Sequence, residues 1–368
     1  MKYIHQETDW PHFRWSDEAL SARLAGVRHR QGRLIGRMGA LGFPAREEAT
    51  LATLTEDVLK SSEIEGERLD AAQVRSSIAR RMGMEIGGLV PSGRDVEGVV
   101  EMMLDATQRF REPLTADRVR GWQASLFPTG WSGLRRIVVG GWRDDTAGPM
   151  QVVSGPVGRE RVQFEAPAAD RLDGEMAAFL AWFERDVGID PVMKAAIAHL
   201  WFVTIHPFED GNGRIARAIA DMSLARSEES AQRFYSMSSQ IRIERSAYYT
   251  MLETTQKGGL DITPWLVWFL ECLDRAFDGA ERTLGSVLRK ARFWDEIRNH
   301  PVTERQRLIL NRILDGFDGK LTSSKWAKLA GCSHDTASRD IDDLVKRGIL
   351  LKSAAGGRST NYTLAEIL

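Results

Sequence analysis

Hydrophobic residues recur every three or four positions along most of the chain, the spacing expected for one buried face of an α-helix. A first stripe begins after Ser16, a typical N-cap residue, and continues to Gly39. Similar stripes predict a helix over 45–60 and several helices within 70–127, with Asp70 and Thr115 as N-caps. The pattern continues through 169–205 and resumes after a polar loop, so the predicted fold is mainly α.

Two segments depart from this pattern. Residues 130–166 are rich in Gly, Val and Ile, and short β-branched runs at 136–139, 151–153 and 162–165 predict a β-hairpin with an irregular tip. After Pro301 the elements become shorter. Helices are predicted at Glu304–Leu314, Ser323–Ala330 and Ser333–Lys346, followed by short strands at 349–351 and 362–364.

Net charge, cysteine spacing and the lengths of apolar runs indicate which classes of protein to expect. The 368 residues carry a formal net charge of −1, which gives no reason to expect general binding to nucleic acid or membranes. Cys272 and Cys332 are far apart, so neither a disulfide framework nor a metal knuckle is expected. The N-terminus lacks the apolar core of a signal peptide, and no apolar run reaches the length of a membrane span. We therefore expect a cytoplasmic protein with no membrane partner.

The loop before residue 214 carries the clearest candidate chemistry. Gly211 and Gly213 precede a predicted helix, where small residues let backbone N–H groups approach an anion. Arg214 and Arg217 are three positions apart and share a helix face. Two cations in a first helical turn oppose the macrodipole, so their placement indicates a bound polyanion. Asp210 is suited to hold Mg²⁺ beside phosphates, and His206 to act as a base.

The twelve residues HPFEDGNGRIAR, 206–217, resemble the signature loop of the Fic family, H-P-F-x-D/E-G-N-G-R-x-x-R, at every fixed position. We refer to residues 206–217 as the signature loop. The resemblance implies a Fic-type helical bundle with a small β-hairpin flap. It also implies ATP and Mg²⁺ as cofactors, His206 as the catalytic base and Asp210 as the Mg²⁺ ligand. The implied ATP-binding residues are Glu65, His206, Gly211, Asn212, Gly213, Arg214, Ile215, Ala216, Arg217 and Tyr249.

A second motif lies upstream. Ser61, Glu65 and Gly66 resemble the inhibitory motif S/T-x-x-x-E-G/N of Fic proteins, at the end of a predicted helix. The resemblance implies that Glu65 pairs with Arg217, the cation that the γ-phosphate needs. Autoinhibition is therefore expected.

The predicted hairpin also resembles a family feature. Gly133-Leu134-Arg135 and the segment 163–167 resemble the Fic flap, which holds a target segment by strand pairing. Trp142 and Arg143 fall near its tip. They are candidates either to clamp a partner or to pack on the protein itself. His199 is expected to be a packed helical histidine.

The C-terminal pattern resembles a winged helix-turn-helix domain. Thr336, Ser338 and Arg339 would lie on the exposed face of its recognition helix, and Arg358 at the wing, so DNA is a candidate partner. Four acids nearby dilute the basic patch, which makes a protein-contact role nearly as plausible. The predicted domains are a 1–44 extension, a 45–275 Fic domain containing the inhibitory helix (45–66) and the flap (130–166), a 276–299 helical connector and a 300–368 winged helix domain.

The predicted function is transfer of AMP from ATP to a Ser, Thr or Tyr hydroxyl of a target protein, or of the protein itself, under autoinhibition by Glu65. Two alternatives stay open. One is a nucleotide-sensing, DNA-binding transcriptional regulator, in which the Fic body senses nucleotide or forms a homodimer. The other is removal of AMP as a second activity. Transfer of phosphate is disfavoured, because family members that do so lack the arrangement at 211–214.

Overall fold

α-Helices dominate the structure, as the apolar spacing predicts. The computed structural model describes residues 2–84, 88–146, 148–155, 161–314, 319–353 and 360–365. The chain forms two units. The described residues of 1–41, 50–84 and 90–281 form the first, and those of 42–49, 85–89 and 282–368 form the second.

The helices up to residue 296 are α1 (Asp17–Gly39), α2 (Phe43–Ile64), α3 (Ala71–Arg81), α4 (Arg94–Gln108), α5 (Ala116–Leu126), α6 (Leu172–Glu184), α7 (Pro191–Ile205), α8 (Asn212–Glu228), α9 (Met237–Ile243), α10 (Arg245–Gln256) and α11 (Thr263–Glu296). The predicted caps are confirmed. The side chains of Ser16, Asp70 and Thr115 accept hydrogen bonds from the first turns of α1, α3 and α5. No break occurs in α11 at 275/276, where a domain boundary was predicted.

Helix α7 lies at the centre of the first unit. All of its residues except Pro191 and Lys194 are buried, and a helix that is apolar on every side is stable only when surrounded by protein. Helix α8 packs along it, with Ile215, Ile219 and Met222 fully buried. Since the two helices are joined by residues 206–211, their packing fixes the position of the signature loop.

The hairpin region differs from the prediction of a single hairpin. Strands β1 (Trp131–Ser132) and β2 (Arg135–Arg136) form one small antiparallel pair, and β3 (Gln151–Ser154) and β4 (Arg161–Glu165) form another. The predicted strand at 136–139 is wrong beyond residue 136. Its backbone is bonded elsewhere: Ile137 N–H donates to the Gly130 carbonyl, and the Gln123 side chain binds Val138 O and Gly140 N–H. Strand propensity was overridden by these contacts with α5 and its exit turn.

The second unit contains α12 (Glu304–Leu314), α13 (Ser323–Ala330), α14 (His334–Lys346) and a hairpin of β5 (Leu350–Lys352) with β6 (Tyr362–Leu364). Its helices begin and end within one residue of the predicted positions. Leu310, Trp326 and Leu344 are fully buried in its core, which also contains Phe293 of α11 and Ile297, the residue that follows α11. The assignment of this unit as a winged helix domain stays a prediction.

The predicted DNA-contacting residues have different environments. Arg339 is exposed, whereas Thr336 and Ser338 are half-buried, and Thr336 is bonded to the N-cap Ser333. Arg358 lies outside the described residues. The DNA contact therefore stays a prediction, with Arg339 as its most accessible described residue.

The fold class agrees with the prediction. The mainly α prediction with small hairpins is confirmed, and both cysteines are free thiols. Among the described residues, no helix has the length and apolar character needed to span a membrane.

Candidate active site

His206 ends α7 in the left-handed backbone region, with φ of 51°. Residues other than glycine are uncommon there, although histidine is found more often than most, and the surrounding contacts hold it in place. The ring Nδ1 lies 3.2 Å from the Val203 carbonyl oxygen. Because a carbonyl can only accept, Nδ1 carries a proton, and the neutral ring leaves its Nε2 lone pair available.

Burial and the nearby Arg143 guanidinium lower the pKa of His206 to about 4, although Asp210 and Glu65 act in the opposite direction. The imidazole is therefore neutral at physiological pH. A neutral imidazole with a free Nε2 can accept a proton from a hydroxyl group, as predicted for the catalytic base.

Two residues shape the turn into α8. Gly211 has φ of +92°, and a Cβ there would lie 3.0 Å from the Phe127 ring and 3.2 Å from Leu126. The Asn212 side chain accepts from Phe208 N–H at 3.0 Å and donates to Phe208 O at 2.7 Å. The Asn212 side chain therefore closes the loop through both of its polar atoms. The backbone N–H of Asn212 is available to an anion at the start of α8.

Arg217 is held by the end of α2. Its Nε donates to Ser61 Oγ at 3.0 Å, and its Nη2 donates to Ser61 O at 2.9 Å and to Glu65 Oε1 at 2.7 Å. The side chain is 2% exposed. Its Nη1 is buried and has no hydrogen-bond partner among the described residues. The pairing of Glu65 with Arg217 that the resemblance implied is present, and one further donor is free for an anion.

The Glu65 carboxylate also lies over the first turn of α8. A Cβ placed on Gly213 would overlap Glu65 Oε1, so glycine is the residue that allows this approach. Gly66, with φ of +89°, turns the chain immediately after Glu65. The carboxylate thus occupies the position at a helix N-terminus where phosphates are favoured.

Arg214 has a carboxylate partner that the sequence did not reveal. Its Nη1 lies 2.6 Å from Glu67 Oε2, and its guanidinium lies 5.1 Å from the centre of the Phe127 ring. Burial raises the pKa of Glu67, although Arg214 partly offsets this. The one feature of the sequence that could have indicated this pair is spacing. Glu65 and Glu67 lie on either side of Gly66, and Arg214 and Arg217 are three positions apart on α8, so each acid has one arginine as a possible partner.

Asp210 is suited to a metal ion but is not part of a preformed cluster. Its carboxylate accepts from Gly211 N–H at 2.6 Å and is bonded to the Ser132 hydroxyl of β1. Among the described residues, no group of three His, Cys, Asp or Glu side chains could hold a metal. A single carboxylate fits Mg²⁺, which commonly takes its other ligands from water and substrate phosphates.

The remaining predicted ATP contacts vary. Ile215 and Ala216 are fully buried, so a contact with a nucleotide would involve their backbone. Tyr249 is 37% exposed, and its hydroxyl lies 3.5 Å from Glu65 Oε2. His199 is buried and bonded to the Tyr248 hydroxyl at 2.9 Å, consistent with the packed role expected for it.

Trp142 and Arg143 pack on the protein itself, which decides between the two predicted roles. The Trp142 ring lies 5.1 Å from that of Phe208 and 4.4 Å from the Arg120 guanidinium. Arg143 is buried against the backbone of the signature loop.

Two family models match the chain. Residues 3–84 match a model described as a domain of unknown function, DUF4172, and residues 113–224 match the Fic/DOC family. Ser61 and Glu65 lie in the first match and Arg217 in the second. The contact between Glu65 and Arg217 therefore joins the two matched regions within the first unit.

Curated relatives and solved structures resemble the chain in part. Protein adenylyltransferase fic-1 of Caenorhabditis briggsae is 28% identical over 45% of this chain, and protein adenylyltransferase Fic of Nematostella vectensis is 34% identical over 30% of it. The matches span 30% and 25% of those relatives. A Fic family protein from Desulfovibrio desulfuricans superposes over 95% of this chain and 96% of its own, with a TM-score of 0.53 and 22% identity. A Fic domain-containing signaling protein from Bacteroides thetaiotaomicron covers 71% of this chain and 97% of its own, with a TM-score of 0.52 and 21% identity. These structural likenesses concern the fold.

Proposed function

We propose that this chain, which contains a Fic/DOC family domain and is distantly related to protein adenylyltransferases, transfers AMP from ATP to a hydroxyl side chain of a protein and is autoinhibited. One observation carries the proposal. Two buried arginines at the start of α8 are neutralised by the chain's own carboxylates, Glu65 and Glu67. Such a site favours an anion that can displace them, because removing a buried cation's partner is costly unless another anion replaces it.

The triphosphate is the anion that best fits the donor set. The backbone N–H groups of residues 212–214 would receive phosphate oxygens, while Arg214 and Arg217 neutralise the β- and γ-phosphates. The free Nη1 of Arg217 and the buried, unpaired Nε of Arg214 support this assignment. Asp210 would hold Mg²⁺, which offsets phosphate charge when bound. Tyr249 lies close enough to Glu65 to contact a nucleotide that displaces it.

His206 supplies the base. Its Nε2 accepts the proton of a Ser, Thr or Tyr hydroxyl while the hydroxyl oxygen attacks the α-phosphorus. The bond from the α-phosphorus to the bridging oxygen breaks, pyrophosphate leaves, and AMP stays on the protein. Positioning and electrostatic stabilisation contribute most of the rate in such transfers.

The hairpins offer a place for the target. Within the described residues, β1 with β2 and β3 with β4 form sheets of two strands, so neither sheet has a third strand at its edges. Val153 and Val162 are exposed on β3 and β4, and Leu134 between β1 and β2 is 99% exposed. A target segment can add to such an edge by main-chain hydrogen bonds. The target is another protein or a second copy of this chain.

Labelled ATP tests the proposal. Glu65→Gly is incubated with a cell lysate and either α-labelled or γ-labelled ATP, and His206→Ala in the same background is the control. We expect label on protein from α-labelled ATP alone, and its loss in the His206→Ala double variant. If protein is labelled only by γ-labelled ATP, the reaction is phosphorylation and not AMP transfer. To test removal of AMP as a second activity, the labelled target protein is incubated with wild-type protein in a buffer without pyrophosphate.

A DNA-binding role for the second unit is the second candidate. The observation in its favour is that Asp340 is bonded to Arg305, and Asp343 to Gln306 and Arg347. Two of the acids expected to dilute the basic patch are thus partly neutralised, and Arg339 stays exposed. A gel shift with the gene's own upstream DNA at modest salt tests this role, and a shift weakened by Arg339→Ala would support it.

A further inference from the structure

Arg143 contacts the backbone of the signature loop although it lies more than sixty positions earlier in the chain. Its Nε donates to His206 O at 2.8 Å, and its own backbone N–H donates to Pro207 O at 2.9 Å. Its other terminal nitrogens bind the Pro167 carbonyl and, at 3.0 Å, the Asp145 carboxylate. The side chain is 1% exposed. Among the described residues, the groups that accept hydrogen bonds from Arg143 are backbone carbonyls, with the exception of the Asp145 carboxylate.

A buried guanidinium is costly unless its donors are satisfied. Burial lowers the pKa of Arg143, and only Asp145 opposes this. A methylene chain of similar volume could fill the same space without that cost. The planar fork, by contrast, can hold several carbonyls in fixed directions at once. Those carbonyls include the one of His206, whose left-handed conformation must be held by its surroundings.

We propose that Arg143 is a positioning residue for His206: by fixing the carbonyls of His206 and Pro207, it directs the imidazole Nε2 towards the hydroxyl to be modified. The inference deepens the proposed function and rests on it. Arg143 touches neither nucleotide nor target in this proposal. It acts on the orientation of the base and, through its charge, on the protonation of the ring.

The charged groups around the imidazole determine how removal of Arg143 changes the pKa of His206. Arg143 disfavours the imidazolium, whereas Asp210 and Glu65 favour it. Without Arg143, one of the two influences that lower the pKa of His206 is gone. Burial still lowers it, while the Val203 carbonyl, Asp210 and, where present, Glu65 act in the opposite direction, so the pKa rises. In the Glu65→Gly background, Asp210 is the carboxylate that remains. The base is then protonated at higher pH, and its direction is less well fixed.

The test compares Arg143→Met and Arg143→Lys in the Glu65→Gly background, with Arg120→Met as the matched control. Arg120 is on α5 and lies over the ring of Trp142, the residue before Arg143. Within the described residues, no hydrogen bond joins Arg120 to the signature loop. We expect kcat for AMP transfer to fall on the order of a hundredfold in Arg143→Met and tenfold in Arg143→Lys, because small misplacement of a base is costly. The KM for ATP should change little, since α8 and its arginines are untouched. Arg120→Met should keep kcat.

A second readout does not depend on activity. The His206 ring is followed by NMR titration, with its signal identified by comparison with His206→Ala. We expect its titration midpoint to move to higher pH in Arg143→Met, and less in Arg143→Lys, which keeps the charge. If Arg143→Met does not fold, Arg143→Lys decides both readouts. An unchanged kcat, a parallel loss in Arg120→Met, or an unchanged midpoint in a folded variant would overturn the proposal. Absence of AMP transfer in Glu65→Gly itself would refute the proposed function, while the titration would still decide whether Arg143 acts on His206.

Discussion

Removing the Glu65 carboxylate should make the protein more active in AMP transfer and, without nucleotide, less stable. Both effects follow from one contact, the 2.7 Å bond between Glu65 Oε1 and Arg217 Nη2. Glu65→Gln keeps the volume of the side chain and removes its charge. Glu65→Gly also clears the space above Gly213, where Glu65 Oε1 now lies.

The size of the activity effect can be worked from this bond. A hydrogen bond to a charged group contributes about 1.5–3 kcal/mol. About 1.4 kcal/mol is a tenfold change in an equilibrium constant. If the bond between Glu65 and Arg217 must break before ATP can bind Arg217, the fraction of molecules able to bind ATP productively is about ten- to a hundredfold lower. The transfer rate of Glu65→Gly should therefore exceed that of wild type by a similar factor, with Glu65→Gln between them.

The stability effect has the opposite sign. Breaking a buried ion pair by removing one partner costs about 3–5 kcal/mol when both groups are dry. The Glu65 side chain is 30% exposed and Ser61 keeps two bonds to Arg217, so about 1–3 kcal/mol is expected here. Nucleotide binding should recover this loss, because a ligand that binds only the folded state stabilises it.

Transfer from α-labelled ATP and thermal melting with and without nucleotide measure the two effects. Glu63→Gln is the matched control: its side chain is 28% exposed on the same helix, but it pairs with Lys60 and Arg242 outside the site. The reasoning is refuted if Glu65→Gly and wild type transfer AMP equally. It is also refuted if Glu63→Gln activates as much as Glu65→Gly does.

Three further predictions follow from the same region. Glu67→Gln should also raise transfer, but less than Glu65→Gln, because Glu67 is 47% exposed; an equal or larger rise in a rate assay would contradict this. Gly213→Ala should lower the melting temperature more in wild type than in Glu65→Gly, where the overlap is gone; additive losses would count against it. Burial lowers the pKa of His199 to about 3 from an ordinary 6.5, so the unfolded chain binds more protons below pH 6.5 and stability falls with acidification. Between pH 6.5 and 5 this histidine should contribute about 2 kcal/mol of that loss, and denaturant unfolding of His199→Gln should show a shallower pH dependence.

The parts of the fold that depend on neighbours in sequence were predictable. Ser16, Asp70 and Thr115 cap their helices through residues three positions away, so the sequence alone contains both partners. Pro191 begins α7 for an equally local reason. The signature loop was predicted because its residues are contiguous and chemically restrictive.

Contacts between distant segments were not predictable without a known motif. The strand expected at 136–139 failed because Gln123 satisfies its backbone, and no periodicity reports such a contact. Glu67 was missed because its partner Arg214 is 147 positions away. Glu65 was assigned only because a family motif placed it. Where no motif covers a long-range pair, charge and spacing in the sequence are compatible with many partners.

Charge balance explains why the site can be both preformed and restrained. Arg143, Arg214 and Arg217 are all buried within the first unit around the signature loop, and each has a carboxylate at bonding distance: Asp145, Glu67 and Glu65. The Asp145 side chain is 33% exposed and that of Glu65 30%, so exposure does not separate these two pairs. The other contacts do. Arg143 also binds three carbonyls, which no nucleotide can replace, whereas Arg214 and Arg217 each have a buried nitrogen without a hydrogen-bond partner among the described residues. In the proposed function, an incoming triphosphate would therefore gain most at Arg214 and Arg217 and nothing at Arg143. ATP would then displace Glu65 and Glu67 while the contacts of Arg143 with the signature loop stay in place.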